Sequence, residues 1–110
     1  MKANELRIGN WVFDNKQIQI TSEQIKLADE GLYKLLPIPL TKEWLLKFGF
    51  VPDGYGEYKK GENIVLDNEY TEEGVFYILE ADHCLSIEVL HVHQLQNLYF
   101  ALTEKELTVR

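Results

Sequence analysis

His83, Cys84, His91 and His93 are the side chains of this sequence with the chemistry to hold a borderline metal ion or to pair a thiolate with an imidazole. His83 and Cys84 open a strand-like run that ends at Leu90, and His91-Val92-His93 closes it, about 25 Å further along an extended chain. Ligands split between the two ends of one strand do not converge on an ion, and the short paired spacings of structural zinc sites are missing. A nucleophilic pair would need Cys84 exposed and ionised beside an imidazole, which one cysteine and three histidines do not specify. The expectation is no metal, no cofactor and no catalytic residue: a packed thiol, and histidines that satisfy backbone groups where a helix begins.

Gly54-Tyr55-Gly56-Glu57-Tyr58-Lys59-Lys60-Gly61 has the flavour of a phosphate loop, but its spacing fits neither the dinucleotide fingerprint nor the P-loop. No strand-to-helix transition surrounds it to aim amides at an anion, so it reads as a flexible hairpin or loop tip with two solvated lysines. Glycine, tyrosine and lysine together still suit a binding loop. The acidic groups Asp29-Glu30, Glu69 and Glu72-Glu73 fall in turn-like contexts with nothing to raise one pKa, and read as surface charge rather than a carboxylate pair. Gln94 and Asn97 are three residues apart on a helical segment and can offer amides to a partner from the side opposite its apolar stripe. Tyr55, Tyr58 and Tyr70 lie in polar, loop-like contexts, and tyrosine is a residue that interfaces favour. The candidate binding residues are thus Gln94, Asn97, Tyr55, Tyr58, Lys59 and Lys60.

The elements that position these residues follow from periodicity. Val92, Leu95, Leu98 or Tyr99, and Leu102 recur at helical steps, so the segment up to Thr103 should present one apolar stripe to a core. Leu6 to Phe13, bent at Gly9-Asn10, and Gln17 to Thr21 read as a hairpin across Asp14-Asn15-Lys16. An opening hairpin with a glycine bend is the pattern of SH3-like barrels, an analogy of fold that carries no ligand. Thr21 with Gln24 spells a capping box, and Ile25, Ala28 and Leu32 fit a short helix ending near Gly31, although a loop with one helical turn fits almost as well. Pro37-Ile38-Pro39 forces an extended path. Thr41 then caps a helix whose apolar face is Trp44, Leu45 and Phe48, stapled by Leu40 and Leu45 and stopped at Gly49. From Val51 to Gly56 the wording is that of a loop. Asn63–Asp67, Val75–Glu80 and Cys84–Leu90 read as three strands of a meander, the last with Leu85, Ile87 and Val89 on its dry side. Trp11, Trp44, Phe48, Phe76 and Phe100 are expected in the core.

Three blocks, "NELRIGNWV" from Asn4, "PIPLTKEWLLKFGF" from Pro37 and "VHQLQNLYFALT" from Val92, occur in that order and span most of the chain. Their wording resembles a family of small uncharacterised proteins encoded by Bacteroidetes genomes, their prophages and other mobile elements. The resemblance implies an origin in a bacterial or phage-infected cytoplasm, and supplies no activity or catalytic residue. One departure stands out. Members of that family often carry glycine after Ala-Leu-Thr, whereas this chain has Glu104, so a left-handed C-terminal cap is not expected here.

Composition fits this frame. A chain of 110 residues, 45% apolar and 26% charged, is one folded domain spanning 1–110 with one core. Its net charge of −7 repels phosphate backbones and weighs against nucleic acid as a partner. A single cysteine cannot form an internal disulfide, which suits a reducing cytoplasm. No apolar run is long enough for a signal peptide or a membrane span. The reading is an α+β domain: an antiparallel sheet of about five strands, a short Trp44 helix, and a C-terminal amphipathic helix packed on the sheet. Its expected role is a non-enzymatic binding module for a protein partner or a second copy of itself. The alternative is a protein that binds or sequesters a small nucleotide-like signal, as counter-defence proteins do, or a small enzyme, with Lys47, Lys59 and Lys60 offsetting the acidic balance.

Overall fold

The computed structural model describes residues 5–14, 16–31, 35–60, 64–71, 74–81 and 85–109, and for 68–71, 74–76, 81 and 85–86 the backbone alone. In chain order the elements are β1 (Trp11–Phe13), β2 (Gln17–Gln19), α1 (Ser22–Asp29), α2 (Lys42–Lys47), β3 (Val51–Pro52), β4 (Glu57–Lys60), β5 (Ile64–Thr71), β6 (Gly74–Ala81), β7 (Leu85–Val89) and α3 (Val92–Thr103). The strands form two antiparallel sheets, β1-β2 and β3-β4-β5-β6-β7, so the chain is α+β. It divides into two compact units, Met1–Pro39 with His91–Lys105, and Leu40–Leu90 with Glu106–Arg110.

In the first unit the hairpin is built as its alternation suggests, with Val12 opposite Ile18. Leu36 adds a single bridge to Phe13 on the free side of β1. Leu6, Val12, Ile20 and Leu35 are buried together, and Ile18, Ile25 and Ala28 pack against them from the hairpin and from α1. The competition between helix and loop over residues 22–29 resolves to helix. The Thr21 hydroxyl accepts the Gln24 N–H, and the Gln24 side chain accepts the Thr21 N–H at 3.0 Å, which satisfies two donors that a helix start leaves orphaned.

The C-terminal helix α3 packs on β1. Val92, Leu95 and Tyr99 are buried as the stripe requires, but Leu102 at its end is exposed, and His93 and Gln96 are buried as well. Phe100, expected in the core, is 38% exposed, and the Arg7 guanidinium lies 4.2 Å from its ring centroid. The helix ends against expectation as well. Glu104 takes the left-handed conformation, φ 61° and ψ 16°, and its N–H donates to the Phe100 carbonyl at 2.7 Å. The cap geometry forms without the glycine that favours it, because closing that last carbonyl outweighs the steric cost of a Cβ there. Replacing Glu104 with glycine should therefore raise stability by about 1 kcal/mol, read as a higher thermal midpoint. A lower midpoint would show that the Glu104 side chain contributes more than its backbone costs.

The second unit holds the five-stranded sheet and α2. Thr41 caps α2 with its hydroxyl toward the Trp44 N–H, while Leu40, Trp44, Leu45 and Phe48 are all buried. Residues 51–56, expected to be loop, supply the edge strand β3 and the turn of a hairpin. Of the two readings of residues 54–61, hairpin or loop tip, the hairpin forms: β3 pairs β4, with Val51 opposite Lys59 and Pro52 opposite Tyr58. Pro52 has no N–H to offer a ladder, and here it sits on the sheet's edge strand, where none is required of it. Along β4 to β7 one face carries Tyr58, Ile64, Leu66, Tyr77, Leu79 and Val89, all buried. The Tyr58 and Tyr77 rings meet edge to face, with centroids 6.2 Å apart. After α3, Leu107 is 2% exposed, so this part of the tail packs.

Candidate functional site

The polar residues of α3 are put to work inside their own unit. Gln96 is 3% exposed; its Oε1 accepts the Trp11 N–H at 2.8 Å and its Nε2 donates to the Gly9 carbonyl at 3.2 Å. Asn97 accepts from Arg7 Nη1 at 3.1 Å and Asn10 Nδ2 at 2.9 Å, and donates to the Glu5 carbonyl at 2.8 Å. Asn10, itself buried, accepts the Arg7 N–H through its side chain and so fixes the Gly9-Asn10 bend. Together the three amides pair with the Arg7 and Trp11 N–H groups and with the Glu5 and Gly9 carbonyls on either side of the bend. Gln94 turns back to accept the His91 N–H at 3.0 Å, a cap for the helix start. Gln94 and Asn97 therefore both make contacts within the unit.

Two histidines stack at the entry to α3, with ring centroids 5.8 Å apart and planes 12° from parallel. His93 is 3% exposed and its Nδ1 has no hydrogen-bond partner among the described residues. Burial first, then the neighbouring His91, hold the His93 imidazole below its ordinary pKa, with the Glu5 carboxylate opposing them. The folded state thus binds a proton less readily than the unfolded chain. Stability is complete above the unfolded value of about 6.5 and falls as the pH drops below it. Between pH 7 and pH 5 the wild type should lose more thermal stability than His93→Phe. Parallel pH profiles for the two would show that His93 does not carry the dependence. His83 and Cys84 lie outside the described residues, among which no group of three or more His, Cys, Asp and Glu side chains is placed to hold a metal.

In the second unit the β3-β4 hairpin presents a shaped tip. The Asp53 carboxylate accepts the N–H of Tyr55 at 2.7 Å and of Glu57 at 3.2 Å, while its own N–H donates to the Glu57 carbonyl. Gly54 and Gly56 take φ of 85° and 95°, which side chains rarely adopt, so glycine at both positions lets the turn close this tightly. The Tyr55 N–H is the main reason the Asp53 carboxyl titrates below its ordinary range. Held on this turn, Tyr55 is 92% exposed.

The remaining candidates do not gather around it. Lys59 and Lys60 are strand neighbours on opposite faces. Lys59 is exposed and approaches Glu57 at 3.9 Å, whereas Lys60 donates to the Phe48 carbonyl at 2.9 Å and is not a solvated loop lysine. Lys47 covers the Trp44 ring at 4.8 Å. Tyr58 is buried. Sequence reasoning missed Gln96, although a signal existed: it stands four residues after Val92 and three before Tyr99, on the buried stripe itself. Among the described residues no helix is long and apolar enough to cross a membrane. Comparison with protein-family models, curated proteins and solved structures finds no match to this chain.

Proposed function

We propose that the chain is a non-enzymatic binding module that engages a protein partner through the β3-β4 hairpin, with Tyr55 as the anchor. The observation that carries this reading is a tyrosine 92% exposed on a turn already pinned by two backbone hydrogen bonds to Asp53. A large amphipathic ring on a preorganised loop loses little conformational freedom when it docks, the property that makes tyrosine effective at interfaces. The resemblance of the three sequence blocks supports a bacterial mobile element or phage as the source, and the lone cysteine supports a cytoplasmic setting. The small-ligand reading has less behind it, because Lys47, Lys59 and Lys60 each point to a different local partner.

Two measurements separate these readings. Affinity capture from a Bacteroidetes lysate, run in parallel with wild type and Tyr55→Ala as bait, should retain a protein on the first that the second loses at equal stability. A thermal-shift panel of nucleotides and divalent cations should stay flat. A reproducible upward shift with one nucleotide, together with identical capture by both baits, would replace the binding-module reading with the small-ligand one.

A further inference from the structure

The strand register lines up the outer face of the sheet. Glu57, Asp67, Ile78 and Glu88 stand opposite one another across β4, β5, β6 and β7, a row spanning about 14 Å at ordinary strand spacing. In a second row Lys59 faces Val65 and Val65 faces Glu80. Glu80 and Glu88 are exposed, while Val65 and Ile78 at the centre are half-buried. Lys59 is the one cation in these rows, and it serves Glu57. The described residues give Asp67, Glu80 and Glu88 no cationic partner.

Wetting a sheet face needs polarity and not one sign of charge. Here Glu57 stands directly opposite Asp67, an arrangement that costs stability in an antiparallel pair. A lysine at either position would relieve the repulsion and keep the face soluble, so folding gains nothing from the pair. The opposite face holds the core: Tyr58, Leu66 and Leu79 are buried, and Lys60 reaches the Phe48 carbonyl on that side. The outer face therefore combines an aliphatic centre with a surround in which four carboxylates, Glu57, Asp67, Glu80 and Glu88, outnumber the one cation Lys59, on a chain of net charge −7. That is the layout of an interface whose centre excludes water and whose rim selects charge.

We infer that this outer face docks a cationic protein segment, one that sets lysine or arginine around aliphatic side chains. The inference rests on the binding-module reading and adds the chemistry of the partner. The probe is a short synthetic peptide alternating arginine with valine, titrated at low salt into isotope-labelled full-length chain. Amide shifts should concentrate at Glu57, Asp67, Ile78, Glu80 and Glu88, and affinity should fall about tenfold on going to physiological salt. Peptides with glutamate in place of arginine, or glycine in place of valine, should bind much more weakly.

Asp67→Lys supplies the decisive variant, since it should raise the thermal midpoint while weakening the peptide at least about tenfold, so that lost binding is not lost folding. Glu88→Lys, at an exposed edge position, gives the same reading should Asp67→Lys fail to fold. Shifts scattered elsewhere, a glycine peptide that binds as tightly, or full affinity in the lysine variants would overturn the inference. A captured partner that Tyr55→Ala loses and Asp67→Lys keeps would sink the inference while the binding-module reading stands. A partner indifferent to both would sink the reading as well.

Discussion

Replacing Gln96 with leucine should cost the chain about 2 kcal/mol, because the Trp11 N–H would lose its Gln96 acceptor and the Gly9 carbonyl would keep only the Gln19 amide of its two side-chain donors. The leucine fills a similar volume and adds apolar surface, so the loss would report on hydrogen bonding and not on a cavity. Chemical denaturation followed by tryptophan fluorescence gives the number. Gln96→Glu keeps the acceptor for Trp11 but sets a carboxylate against the Gly9 carbonyl, and should be destabilised as well. A leucine variant as stable as wild type would mean that the Gly9-Asn10 bend closes without the helix, and the structural role given to Gln96 would fall.

Truncating Phe48 to alanine should remove about 3 to 5 kcal/mol, the usual range for a fully buried aromatic ring. Phe48 is 0% exposed, lies 5.6 Å from the Trp44 ring centre to centre, and carries the carbonyl that receives Lys60. Its loss should lower the midpoint of the second unit, while the backbone carbonyl that alanine keeps at this position still accepts from Lys60. A variant that loses less than 1 kcal/mol would show that this core repacks around the gap.

Much of the architecture was legible in the sequence where a local rule and a periodic pattern agreed. Thr41 with Trp44 and Leu45, Thr21 with Gln24, and Val92, Leu95 and Tyr99 each pair a cap or stripe with the element it belongs to, and each element formed. Strand β4 was hidden because Glu-Tyr-Lys-Lys has little strand propensity of its own; it is held by pairing with β5 on one side and β3 on the other. The left-handed Glu104 was hidden because glutamate gives no sign of accepting that conformation.

The candidate site was less legible than the fold. Tyr55 could be marked as a loop tyrosine, but its near-complete exposure follows from hydrogen bonds between Asp53 and two amides that no spacing announces. The charged face of the sheet depends on register: Glu57, Asp67, Ile78 and Glu88 come from four strands, and a one-residue slip of any strand would send its member to the other side. Asn97 looked free on a helical wheel, and the segment that engages it, residues 5–10, lies some 90 positions earlier in the chain. Long-range partners are what a single sequence conceals.

The most direct test of the account is the affinity of the captured partner for Tyr55→Ala, measured by titration calorimetry on protein whose thermal midpoint has been checked. An exposed tip residue contributes little to folding, so the midpoint should stay within about 0.5 kcal/mol of wild type while binding falls below detection. Undiminished affinity in that variant would contradict the assignment of the hairpin as the docking element.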